Sequence, residues 1–151
     1  MKILIASDHA GFELKEQIIS YLKTLNYDIE DLGPRRFDPE DDYPDYILPL
    51  AKKVAENPLE YKGLVFGGSG TGEAIVANRV SGVRAAIFYG GSTEIIRLSR
   101  EHNDANILSL GARFLNEENA KQAVRLWLDT AFSNHPRHMR RIAKIDEKFT
   151  A

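Results

Sequence analysis

No cysteine occurs among the 151 residues. That excludes disulfide bridges, thiolate metal sites and a cysteine catalyst. No apolar stretch approaches the roughly 18 residues needed to span a bilayer. The opening run MKILIAS is too short for a secretory signal core followed by a cleavage site, so a cytoplasmic location without membrane attachment is expected. Neither charge sign dominates: 20 basic against 22 acidic side chains give a formal net charge of −2. No whole-protein field therefore draws nucleic acid or an anionic membrane. Internal repeats, low-complexity tracts and Pro/Gly/Ser linkers are also missing. What is present is ordinary globular material, 43% apolar and 28% charged. Its length suits a single domain, residues 1–151, with one core.

Short apolar runs alternate along the chain with helical periodicity. Residues 2–6 read as a buried strand, and Leu14, Ile18, Leu22 and Leu25 then recur at helical spacing. Residues 27–32 read as a second strand. A charged loop with two prolines, 33–42, follows. Tyr46, Ile47, Leu50, Ala51 and Val54 form the next helical stripe, with Pro58 beyond its end. Strands are expected at 63–66, 83–88 and 107–110. Ser92 is the expected N-cap of a helix reaching about Glu101, and Asn116 that of a helix carrying Ala120, Val124, Trp127 and Leu128. A basic helical segment, about 135–149, closes the chain. Five strands separated by helices predict an α/β fold, a Rossmann-like three-layer sandwich around a five-stranded parallel sheet. Ligands in such sheets bind at the carboxyl ends of the strands.

Those ends are where the ionisable residues gather. The first strand runs into Ser7-Asp8-His9-Ala10-Gly11, and the third into Gly67-Gly68-Ser69-Gly70-Thr71-Gly72-Glu73. His102-Asn103-Asp104 precedes the fifth strand and Gly111-Ala112-Arg113 follows it. Glycines let a backbone approach a ligand and expose consecutive N–H donors, which at a helix start suits an anion. A dinucleotide loop has the same look. Here, however, the loop follows the third strand rather than the first, so no acidic residue at the end of the second stands in the usual relation to it, which argues against NAD. Glu73 reads either as an acid capping a helix that begins near it or as a general base facing the anion pocket. Asp8-His9 and His102-Asn103-Asp104 read either as polar turns or as site groups. Arg137, His138, Arg140, Arg141 and Lys144 crowd five basic groups into eight residues, with Arg137 and Arg141 on one helix face. That face suits a solvated surface or a phosphate clamp. No aromatics interleave with it as a nucleic-acid tail would require.

Taken together, these segments resemble the type B ribose-5-phosphate isomerase family, which includes allose- and galactose-6-phosphate isomerases. The resemblance rests on Ser7 to Phe12, Gly67 to Glu73, Ala77-Asn78-Arg79, Gly82-Val83-Arg84-Ala85-Ala86, Ser99 to Asn106, and Leu110-Gly111-Ala112-Arg113, and it covers nearly the whole chain. Many members carry a catalytic cysteine where Gly67 stands here. The chain looks like the subgroup in which Gly-Gly-Ser-Gly-x-Gly-Glu replaces that loop and the glutamate is the base. The resemblance implies interconversion of ribose 5-phosphate and ribulose 5-phosphate through a cis-enediolate, without metal or cofactor. It implies Glu73 as carbon base, Ser69 as proton shuttle, and Asp8 or His102 for ring opening. Gly68, Gly70, Thr71 and Gly72 would form the anion hole. His9, Arg113, Arg137 and Arg141 would hold phosphate, and Tyr43 and Asn103 the sugar hydroxyls. It further implies a homodimer or dimer of dimers, with His102, Asn103 and Arg113 reaching across the interface. The alternatives are an isomerase of another phosphosugar (a hexose 6-phosphate or a tetrose phosphate, with loop 33–42 setting pocket length), a non-catalytic sugar-phosphate sensor, and a nucleotide-dependent oxidoreductase.

Overall fold

The computed structural model describes residues 1–149. Five strands and six helices alternate: β1 (Lys2–Ser7), α1 (Phe12–Thr24), β2 (Asp28–Asp31), α2 (Pro44–Glu56), β3 (Tyr61–Gly67), α3 (Thr71–Ala77), β4 (Ala85–Phe88), α4 (Glu94–Glu101), β5 (Ile107–Gly111), α5 (Glu117–Asp129) and α6 (Pro136–Phe149). All strand pairings are parallel, in the order β2-β1-β3-β5-β4. The expected α/β sandwich with a five-stranded parallel sheet is the observed one.

Alternation along the strands sorts side chains into two cores. Ile3, Ile5, Leu64, Phe66, Leu108 and Leu110 face one side, where they meet Leu14, Ile18 and Leu22 of α1, Ile96 of α4, and Val124 and Trp127 of α5. Leu4, Ala6, Val65 and Ile107 face the other, against Ile47, Leu50, Ala51 and Val54 of α2 and Ala77 of α3. Period-two side chains meeting helical stripes on both faces is what a doubly covered parallel sheet demands.

Where element limits differ from expectation, they do so by one or two residues. Residues 83 and 84 turn into β4 rather than extending it: the Arg84 N–H is taken by the Asn106 side chain at 2.8 Å. Thr93, not Ser92, is the residue preceding α4, and the Ser92 hydroxyl accepts instead from the Glu94 N–H at 3.3 Å. Asn116 does cap α5, accepting from the Asn119 N–H. Helix α3 starts at Thr71, two residues before Glu73.

Topology fixes where a ligand can sit. From β1 the chain steps outward to β2, then returns past β1 to β3, which opens a crevice between the carboxyl ends of β1 and β3. Gly11, just before α1, lies directly on the end of β3. A Cβ there would come within 2.3 Å of the Phe66 backbone carbonyl. Backbone cannot yield as a side chain can. Gly11→Ala is therefore expected to cost at least about 1–3 kcal/mol and to lower Tm by roughly 2–4 °C per kcal/mol. Calorimetry showing an unchanged Tm would contradict this packing.

Candidate active site

Three strand ends converge on one pocket. Asp8 and His9 come from β1, Gly68, Ser69, Gly72 and Glu73 from the turn between β3 and α3, and Arg113 from beyond β5; Tyr43, preceding α2, completes the wall. The cavity is about 270 Å³, the scale of a small phosphorylated sugar rather than a dinucleotide.

Glu73 is 3% exposed. Its carboxyl group occupies the space where a side chain at position 67 would stand: a Cβ on Gly67 would lie 2.0–2.2 Å from the carboxyl carbon and both oxygens. The glycine at 67 and the glutamate at 73 are thus one steric unit. Burial pushes the Glu73 carboxyl above the ordinary carboxylate range, its own backbone N–H offsets part of that, and the nearby Asp8 charge adds to it. A buried carboxylate that resists ionisation is a strong base once ionised.

Asp8 is 7% exposed, and one of its oxygens accepts from the Gly11 N–H at 3.0 Å. That bond fixes the turn between β1 and α1 and leaves the second oxygen toward His9, 4.0 Å from Nδ1. His9 is half-buried, and its Nδ1 lies 2.7 Å from Asp41 Oδ1. This hydrogen bond holds the imidazole above its usual range, with further help from the Asp8 and Asp41 charges. Desolvation and the Arg113 charge oppose it. The guanidinium of Arg113 lies over Gly68, where a Cβ would be 3.1 Å from Nη1, and the Tyr43 ring lies over Gly72. Two basic side chains, His9 and Arg113, and two carboxylates, Asp8 and Glu73, thus share one small cavity.

Not every expected site residue is here. Gly70 turns onto β5, its carbonyl accepting from the Ser109 hydroxyl at 2.6 Å, and Thr71 is exposed at the start of α3. Both shape the loop without lining the pocket. His102, Asn103, Arg137 and Arg141 also lie outside it. His102 follows α4 and stacks on His138 of α6, with centroids 4.2 Å apart. Asn103 lines a separate cavity beside Ile142 and Ile145 of α6, and Arg137 and Arg141 are exposed. Arg113 corrects an expectation. It lies in the Glu73 pocket of its own chain, because the turn after β5 ends on the same sheet edge as β3 and its N–H donates to the Gly68 carbonyl at 3.0 Å.

Asp41 was not singled out from the sequence. Asp38, Glu40, Asp41 and Asp42 form one acidic run, and nothing in the order of residues marks which of them turns inward. Among the described residues, Asp8, His9 and Asp41 form the one cluster with metal-ligating atoms close together. Nδ1 of His9 and Oδ1 of Asp41 are already engaged with each other, and an oxygen of Asp8 with Gly11. The donor set reads as a hydrogen-bonded relay rather than an open cage.

The sequence profile of the Ribose/Galactose Isomerase family matches residues 3–145. Ribose-5-phosphate isomerase B of Mycolicibacterium paratuberculosis is 41% identical over 147 residues, covering 97% of this chain and 91% of that protein. Among solved structures, ribose-5-phosphate isomerase B of Mycoplasma genitalium with bound ribulose-5-phosphate superposes with a TM-score of 0.92 at 40% identity, over 97% of this chain and 95% of the other. The Clostridium thermocellum ribose-5-phosphate isomerase B superposes with a TM-score of 0.91 at 41% identity, over 98% and 97%.

Proposed function

The chain belongs to the Ribose/Galactose Isomerase family, and from that premise we propose that it interconverts ribose 5-phosphate and ribulose 5-phosphate in a site completed by a second copy. The observation that carries the reading is the buried Glu73 carboxyl seated on Gly67, in one cavity with Asp8, His9, Ser69 and Arg113. A sensor needs to bind phosphosugar but has no use for a desolvated carboxylate at its floor. An oxidoreductase would carry its glycine-rich dinucleotide turn after the first strand, where this chain has Ser7-Asp8-His9-Ala10-Gly11.

The chemistry follows from these groups. Asp8, which lies in the pocket, or His102 of a second copy, moves the proton that opens the furanose ring. Glu73 takes the proton from C2 of the open aldose, giving a cis-enediolate, and returns it to C1. Ser69 carries a proton between O1 and O2, so that the carbonyl moves from C1 to C2 and no net proton or electron is exchanged with solvent. Backbone N–H groups of the pocket-lining Gly68, Ser69 and Gly72 stabilise the charge that develops on oxygen, a contribution of roughly 10²–10³-fold per donor in comparable holes. His9 and Arg113 grip phosphate from within the chain. Arg137 and Arg141 lie outside this pocket together with His102 and Asn103, which is the arrangement expected if α4 and α6 of one copy supply the second half of the site in the other. A cytoplasmic location belongs to the same proposal.

Two measurements test it. Purified protein in EDTA is expected to turn over ribose 5-phosphate in preference to hexose 6-phosphates and tetrose phosphates. Loss of that turnover, or a clear preference for a longer sugar, would overturn the substrate assignment. Mixing is the test of sharing. Glu73→Gln and Arg137→Ala are each expected to be strongly impaired. Exchanged together, they should regain activity, because a mixed pair holds one site with neither substitution. No recovery on subunit exchange would remove Arg137 from a shared site.

A further inference from the structure

One contact at the pocket's edge has the form of a device rather than a coincidence. Asp41 sits at the end of loop 33–42 with a side chain only 3% exposed. Its Oδ1 accepts two hydrogen bonds from the same residue: from the His9 backbone N–H at 3.0 Å and from the ring Nδ1 at 2.7 Å. Its Oδ2 is buried without a partner among the described residues. A carboxylate taken out of water with one oxygen unmatched is costly unless a cation stands beside it, and the imidazole of His9 is the group placed to be that cation. The same loop also supplies Phe37, whose ring meets His9 edge-on at 6.5 Å and Phe12 at 6.2 Å. Loop 33–42 thus holds the imidazole on two sides, by a hydrogen bond and by a ring contact. Asp8 and Arg113 are the other charged groups acting on the imidazole, one favouring its charged form and one opposing it.

We propose that Asp41 is a positioning residue for phosphate recognition: it fixes His9 as an Nδ1–H donor in the imidazolium form, so that Nε2–H is left to donate to the substrate's phosphate. The inference rests on the phosphosugar reading and deepens it. A carboxylate on one ring nitrogen decides the tautomer and orientation of a histidine and raises its basicity. A charged donor binds a phosphate oxygen roughly twice as strongly as a neutral one. Loop 33–42 then contributes more than pocket length. It sets the charge of a ligand-binding group that the loop itself never presents to the substrate.

The test compares Asp41→Asn and Asp41→Glu with Asp42→Asn, a substitution of the exposed neighbour. The His9 titration midpoint is read by NMR of ring-labelled histidine, with His9→Asn identifying the resonance, and inorganic phosphate is titrated in parallel. Asp41→Asn is expected to move the His9 midpoint to lower pH, weaken phosphate binding about tenfold and raise KM for ribose 5-phosphate by about the same factor, with kcat changed far less. Asp41→Glu should restore part of each effect, and Asp42→Asn should change none. An unchanged His9 midpoint in Asp41→Asn, whether or not Tm falls, would reduce Asp41 to a loop latch and overturn the proposal. If the parent protein fails to isomerise ribose 5-phosphate, that alone sinks the substrate reading; the histidine midpoint and the phosphate titration still decide the role of Asp41.

Discussion

Replacing Glu73 with glutamine is expected to lower kcat by roughly 10²–10⁴-fold, the usual contribution of a placed proton-transfer group, while substrate affinity changes little. Glutamine keeps the size and the polar end of the side chain but cannot accept the carbon proton. The same substitution should raise thermal stability. Burial holds the Glu73 carboxyl above its ordinary value of 4.5, so the folded chain binds more protons than the unfolded chain between those two values. Stability contributed by the protonated group is complete below the ordinary value and is lost as pH rises through the folded one. At pH 7 the ionised carboxylate is therefore a cost that glutamine removes. Melting curves should show Glu73→Gln above the parent at pH 7, with the gap closing toward pH 4. A gap independent of pH would dismiss the raised pKa, and full turnover by the variant would dismiss the base assignment. An opposition of this kind between activity and stability is common where a site keeps a group in surroundings that disfavour it.

Gly67→Ala should inactivate by a different route. The added Cβ would fall 2.0 Å from the Glu73 carboxyl carbon. The obstructing atoms are the far end of a flexible side chain, so the collision is relieved by turning the carboxylate away and not by breaking the fold. Activity is expected to fall by about 10²-fold or more, with Tm shifted by only a few degrees. This contrasts with Gly11→Ala, where the obstruction is backbone. In a Glu73→Gln background, Gly67→Ala should cost little further activity, because both changes remove the same base. Independent, additive losses would mean that position 67 acts through something other than Glu73. In this chain a side chain at 67 and the carboxylate at 73 compete for one volume.

The sheet and its helices were legible because they rest on local patterns, such as the apolar run in 2–6 and the helical stripe of Ile47, Leu50, Ala51 and Val54; the one core expected from chain length is instead divided by the sheet into two. The pocket residues at strand ends were legible for a topological reason, since parallel strands put their carboxyl termini on one edge. What the order of residues could not supply was relative placement across that edge. Arg113 joins Glu73 because β5 lies beside β3, a neighbour relation set by the strand order and not by chain distance. His102 and Asn103 sit close to Arg113 in sequence yet line other surfaces, since β5 runs the length of the sheet between them. Asp41 was hidden for the opposite reason: four acids in one loop look alike until the backbone turns one of them under His9.

Strand β1 carries a consequence for how the molecule assembles. From Ile3 to Ser7 every residue is buried, and its hydrogen-bonding partners are β2 and β3. During synthesis this run leaves the ribosome well before Tyr61 to Gly67 exist to seal its second edge. Until then a β-prone segment with almost no charge stays open to any other unpaired strand. Refolding at high concentration should accordingly divide between native protein and aggregate according to how soon the two strands meet, which makes crowding of nascent chains, more than the strength of the finished sheet, the hazard built into this topology.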